Sequence, residues 1–301
     1  MGALFRLRWP GGHLRAFTLS YDDGCLEDFI LAEMLDKYGA RGTFNISFAT
    51  LWDEERPAPE KNPNRRKMRR SEFREFVRQY GDRMEIASHA LTHPVLQTLT
   101  PAQQALEIIE NRRLLEEVVG KPVLGFVFSM SHKDADLAME PVKLSGALYF
   151  RSYSAKKDFS YTEGDPLGLP ATCHHNVPEE TLQKYADDFL ALSDDDKQDG
   201  ALYFVWGHTY EFARNDDWYK MEHLLEKVGN RDDVWYATNG EIASYIAAYR
   251  ALVFSVDGTM VQNPTATPVY LRARVGKAKE GKTVCVHPGE LLRLTDPEGE
   301  S

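Results

Sequence analysis

The stretch "FTLSYDDGCLEDF" (17–29) decides the fold. A short apolar run enters two adjacent aspartates and a glycine, and an amphipathic segment starts a few residues later. Asp-Asp-Gly alone is good turn chemistry. Two like charges side by side repel, however, and neither helps a strand. The alternative is a reactive pair delivered by the end of a buried strand, and the surrounding chain chooses between the two.

Working outward, "RAFTLS" (15–20) reads as a strand and "EDFILAEMLDKYG" (27–39) as a helix ended by Gly39. The rhythm then repeats. Strands are expected at 42–48, 84–88, 123–129, 147–153, 201–207 and 233–238. Helices are expected at 71–81 with Ser71 as N-cap, 100–120, 133–146 with Pro141 interrupting, 178–192, 216–229 and 239–252. The 100–120 segment is the clearest helix. Thr100 caps it, Pro101 suits its first turn, Gln103 completes a capping box and Gly120 stops it. Strand followed by helix, about seven times, predicts an α/β protein with a parallel sheet covered by helices, closed as a (β/α) barrel, with an open doubly wound sheet as the alternative. No GxGxxG follows the first strand, so a dinucleotide site is unsupported. The barrel is expected over 1–252 and a small β-rich extension over 253–301, where short alternating runs replace the helices.

Composition is that of a globular protein: 301 residues, 43% hydrophobic and 27% charged. A net charge of -10 argues against nucleic acid or an anionic membrane surface as main partner. Three scattered cysteines give no disulfide framework and no cysteine zinc site. The N-terminus shows no run of signal-peptide length and no later segment reads as a membrane span, so a cytoplasmic protein is expected. The polar insert at 53–72, which contains a basic cluster, follows the second expected strand. It is either a solvated loop or a wall of the active-site groove.

The second informative stretch is "EIASHALTHP" (85–94), with His89 and His93 four apart after a strand. In a barrel its strand end and that of Asp22-Asp23 share one face. Two histidines and one carboxylate make a three-ligand site with open positions, the pattern of catalytic rather than structural zinc. One aspartate would hold the metal and the other would take a proton from its water. A third stretch, "VWGHTYEF" (205–212), brings His208 to the same face, where it could protonate a leaving amine. Asn45, His174, His175 and Glu211 are candidate substrate contacts, with fixing of His208 as the alternative role of Glu211. Trp206, Trp218 and Cys25 read as packing residues.

These residues resemble the polysaccharide deacetylases, also called carbohydrate esterase family four or the NodB homology domain, over roughly 14–250. "SYDDG" (20–24) is similar to the family's first motif, "HALTH" (89–93) to its second and "WGH" (206–208) to its last. The resemblance implies a TIM-like, NodB-type barrel with fewer than eight repeats. It implies Asp22 as catalytic base, Asp23, His89 and His93 as ligands of zinc (or cobalt, nickel or manganese), and His208 as catalytic acid. Ala90 stands where the family has Ser or Thr. The family's third-motif arginine is missing from "FVFSMS" (126–131), and Arg151 on the next strand is the expected substitute. The nearest candidate for its Asp-Trp pair is "KDF" (157–159). The implied substrate is an N-acetylated sugar or oligosaccharide. Another linear or cyclic amide, a carbohydrate-binding protein without catalysis, and a non-haem iron oxygenase are the alternatives. Homo-oligomer formation stays open.

Overall fold

The computed structural model describes residues 4–54, 65–130, 139–151, 154–162, 165–195, 198–274 and 280–294. β1 (Leu4–Arg8) precedes the first expected strand. The main sheet consists of β2 (Arg15–Asp22), β3 (Gly42–Ile46), β4 (Glu85–Ser88), β5 (Gly125–Val127), β6 (Tyr149–Arg151), β7 (Cys173–His174), β8 (Ala201–Gly207) and β9 (Val234–Tyr236). All pair in parallel, in the order β6-β5-β4-β3-β2-β8-β7. β9 joins the first half of β2, on Arg15–Phe17, while β3 takes the second half from Leu19. The curled sheet is a partial barrel, as the strand–helix alternation predicts.

β2 shows why a sheet forms here. Successive side chains point to opposite faces. Phe17, Leu19 and Tyr21 enter the larger core cluster, together with residues of α1 (Asp28–Lys37), α2 (Arg70–Tyr80), α5 (Glu179–Leu190) and α7 (Trp218–Val228). Thr18, Ser20 and Asp22 form a polar column on the other face. Thr18 donates to Asn239 at 2.9 Å, and Ser20 accepts from Asn45 at 2.7 Å. Register then sets the site. Asp22 stands beside Asn45, Tyr21 beside Gly207 and Val127 beside Arg151.

Several elements differ from expectation. α3 (Pro101–Val119) has its Thr100–Gln103 capping box and a left-handed Gly120 as expected. α2 starts at Arg70, and Ser71 is not its cap. Instead the Glu72 carboxylate reaches back to accept from the Arg69 N–H at 2.7 Å, so the cap comes from the third helical position. The helix expected at 216–229 begins only at Trp218. Left-handed Asp216 separates it from an unexpected helix, α6 (Thr209–Asn215). α4 (Met139–Leu144) holds Pro141 in its first turn, where a missing N–H is tolerated, so the proline does not interrupt it. The expected start of this helix, at 133–138, lies outside the described residues.

The extension adds β10 (Val253–Phe254), β11 (Met260–Gln262), β12 (Val269–Arg274), β13 (Lys282–Val286) and β14 (Leu291–Arg293). They form two antiparallel sheets, β10-β11-β14 and β1-β12-β13, so the chain's first strand is built into the second of these. Leu7, Trp9 and Ala16 share a core with Leu271, Val286 and α8 (Asn239–Arg250). The Tyr245 hydroxyl bridges the parts: it donates to the Arg8 carbonyl and accepts from the Tyr270 N–H, both at 2.8 Å. No described helix is long and apolar enough to cross a membrane.

Candidate metal centre and catalytic cavity

The strand ends converge on a cavity of about 280 Å³ lined by Asp22, Asp23, Arg65, His89, His93, Phe128, Met130, Arg151, Trp206, His208 and Tyr210. Asp22, Asp23, His89, His93, His208 and Arg151 were all expected at this face. Phe128, Met130, Tyr210 and Arg65 were not.

Asp22 is buried and held from two sides. Asn45 donates to its Oδ1 at 2.7 Å, and Arg151 donates to the same oxygen at 2.5 Å. The Arg151 guanidinium lies 4.5 Å from the Trp206 ring centroid and is itself buried. Burial pushes the Asp22 carboxyl up, but Arg151, His89 and His208 outweigh it and hold it below its ordinary range. Asn45, a candidate substrate contact, does not line the cavity. It is fully buried, and its amide is taken up by Ser20, the Tyr21 carbonyl and Asp22.

Asp23 turns out of the strand at φ 90°, and Ala90 and His93 also occupy the left-handed region at φ 60°. Non-glycine residues are uncommon there, and such strain is concentrated at functional loops. The carboxylate of Asp23 lies 3.3 Å from His93 Nε2. His89 donates from Nδ1 to the Val127 carbonyl at 2.9 Å, which leaves its Nε2 lone pair available to a metal. Burial lowers the pKa of His89 to about 4 and lowers that of His93 as well, so both rings are neutral at pH 7. The ligand atoms of Asp23, His89 and His93 lie within 4.8 Å of one another. Two neutral imidazoles and an adjacent carboxylate fit a divalent cation such as zinc.

Asp23 nevertheless has cations beside it. Arg65 Nη2 is 2.6 Å from Oδ2 and Lys67 Nζ is 3.0 Å from Oδ1. Burial pushes this carboxyl up, but Lys67, His208, Arg65 and His93 carry it well below its ordinary range. Lys67 also donates to the Asp23 carbonyl. Both side chains come from the described end of the insert. There the chain runs extended beside the Asp-Asp-Gly loop, with Leu26 N–H bonded to the Arg66 carbonyl and Met68 N–H to the Gly24 carbonyl, each at 2.9 Å. The insert is thus a wall of the cavity at this point, while 55–64 lie outside the described residues.

His208 caps the start of α6 and turns Nδ1 toward Glu211, 3.4 Å away. Burial lowers its pKa, but Glu211, Asp22 and Asp23 outweigh this and raise it above its ordinary value. His174 and His175 approach the same Glu211 oxygen at 3.5 and 3.2 Å. These two histidines and Glu211 form a second cluster of metal-ligand type. Its hydrogen bonding argues otherwise. The Asn176 N–H donates to His174 Nδ1 at 3.0 Å, so a neutral His174 carries its proton on Nε2, facing the carboxylate. His174 and His175 were expected at the substrate, and Glu211 either there or fixing His208. They do not line the cavity, and they surround the far side of His208 instead. Among the described residues, Asp158 of the "KDF" stretch binds Ser160 in an exposed turn, and it is Glu211, three residues after His208 on α6, that faces the histidine. Cys25 is fully buried, and burial pushes its thiol well up, in keeping with a packing role.

Residues 13–144 match the family model for polysaccharide deacetylase. No curated protein matches the chain. Among solved structures, one described as a polysaccharide deacetylase from Mycobacterium smegmatis is 17% identical, with TM-score 0.55 over 81% of this chain and 94% of its own. One so described from Pseudomonas aeruginosa PAO1 is 17% identical, with TM-score 0.56 over 78% and 92%. The allantoinase PuuE is 16% identical, with TM-score 0.56 over 78% and 91%. At these identities the likeness establishes the barrel fold.

Proposed function

We propose, from the premise that residues 13–144 belong to the polysaccharide deacetylase family, that this protein is a metal-dependent hydrolase removing N-acetyl groups from an N-acetylated sugar or oligosaccharide. The observation that carries the reading is the pairing of an ionised Asp22, clamped by Arg151, with an adjacent His-His-Asp donor set in one cavity. Asp23, His89 and His93 would hold the cation, zinc by preference for this donor set. Bound there, it would polarise the acyl carbonyl and acidify the attacking water. Asp22 accepts the water's proton, with Asn45 and Arg151 fixing its carboxylate. His208, whose pKa Glu211 raises against burial, gives a proton to the departing amine. Trp206, Phe128 and Met130 form the apolar part of the wall.

The test is a metal titration of chelated protein, read by acetate release from an N-acetylglucosamine oligomer series, with Asp22→Asn alongside. Expected is activity restored by a divalent ion, and a loss of about 100-fold or more in Asp22→Asn with metal binding retained. Metal binding without acetate from any sugar would sink the deacetylase reading and move the search to other linear or cyclic amides. Absence of metal binding would remove the centre itself.

A further inference from the structure

The insert's basic run "RRKMRR" (65–70) is sorted by its extended backbone. Arg66 and Arg69 pair with Glu72, and Arg70 with Asp53. Arg65 and Lys67, two apart and so on one side, point at Asp23. Among the described residues, the two carboxylates that line the cavity, Asp22 and Asp23, face three fixed cations: Arg65, Lys67 and Arg151. The site is therefore net positive before any metal is added, in a chain whose net charge is -10. A divalent ion on Asp23 makes it more so. It also takes over the carboxylate on which the Arg65 guanidinium now rests.

Arg65 is built to receive something else. It lines the cavity, its guanidinium carbon sits 5.5 Å from the Tyr210 ring centroid, and its buried Nε has no hydrogen-bond partner among the described residues. Arg214 lies 5.8 Å from the same ring. A planar guanidinium on an aromatic platform, partly exposed at the cavity, matches an oxyanion.

We infer that the cavity selects acylated substrates carrying an anionic group, a carboxylate or a phosphate, with Arg65 as its contact and Lys67 adding to the field. This rests on the hydrolase reading for the word substrate, but the recognition can be read without turnover. The ligands are the deacetylated sugars glucosamine (neutral apart from its amine), muramic acid (carboxylate) and glucosamine 6-phosphate. Their affinities for the metal-loaded protein are measured by calorimetry. At least one anionic sugar should bind about 10-fold tighter than glucosamine or better. Which one does so distinguishes carboxylate from phosphate. The preference should collapse in Arg65→Gln, weaken in Arg65→Lys, which keeps the charge and loses the planar stacked fork, and shrink with added salt. In parallel, acetate release from the N-acetylated form of each sugar is followed. An Arg65-dependent preference in binding with no acetate released keeps anion recognition and defeats the hydrolase reading. Acetate release with equal affinities, or a preference that Arg65→Gln leaves intact, defeats anion recognition and keeps the hydrolase. No binding of any of the three defeats the recognition claim.

Discussion

At the scale of single residues, Asp22 is the most consequential position, because the fold ionises a carboxylate that burial alone would protonate. Arg151 sits at 2.5 Å and is nearly inaccessible to solvent, so removing it leaves a buried, uncompensated charge. Arg151→Met should cost about 3–5 kcal/mol at pH 7 by that mechanism. The sign with pH follows from the shift. Asp22 is held below its ordinary pKa in the native state, so its contribution is present above the unfolded value and disappears as pH falls through the folded one. In the variant, burial acts unopposed by Arg151 and the carboxyl can protonate, so the gap to wild type should narrow from pH 7 to pH 5. Urea titrations at the two pH values check it, and a gap that stays constant would mean that Arg151 acts through packing alone. His208 behaves in the opposite sense. Its pKa is raised, with Glu211 opposing burial, so the protonated acid persists until pH rises through that higher value. The alkaline limb of kcat/KM should therefore lie above 6.5 and move down in Glu211→Gln.

At the scale of elements, α3 shows local sequence acting alone. Thr100 accepts from the Gln103 N–H, and the Gln103 side chain accepts from the Thr100 N–H at 3.0 Å. Thr100→Ala should lower stability by about 1 kcal/mol, seen as a lower urea midpoint with an unchanged slope. An unchanged midpoint would mean that tertiary packing holds this helix end. Features of this kind were legible in the sequence: the α3 capping box, strand runs entering Asp22 and His89, and the Gly120 stop. What was not legible needed partners far along the chain. Arg151 could be suspected only because the third-motif arginine was missing, since nothing near residue 151 announces an aspartate 129 positions away. Arg65 and Lys67 were hidden inside a basic run, where only the extended backbone decides which cations turn inward. α6 begins with His208 as N-cap, without a side-chain cap bond, and β7 is two residues long, so neither carries a periodic signal. The Glu211–His208 contact follows from i, i+3 spacing once α6 is recognised as a helix.

At the scale of the whole molecule, the question is whether the β-rich extension folds with the barrel. Periodicity alone divides the chain near residue 252, but β1 crosses that line by pairing along its length with β12, from Leu4 beside Arg274 to Arg8 beside Tyr270. Trp9 then packs near Tyr161, Trp235 and Tyr245, and its indole N–H donates to the Ala201 carbonyl at 2.9 Å, where β8 begins. Leu271 lies fully buried in the same core. An interface that shares a core and a strand should transmit a perturbation in both directions. The intact protein should give one calorimetric transition whose van't Hoff and calorimetric enthalpies agree. Leu271→Ala should lower that single transition, at a cost of about 2–5 kcal/mol for the cavity it creates. Because β2, whose Ala16 shares the core of Leu271, leads directly into Asp23, the variant should also begin to lose its metal at the temperature where the rest of the structure unfolds. A second transition left unmoved by the substitution, with metal still bound beyond the first, would show that the barrel stands without its extension.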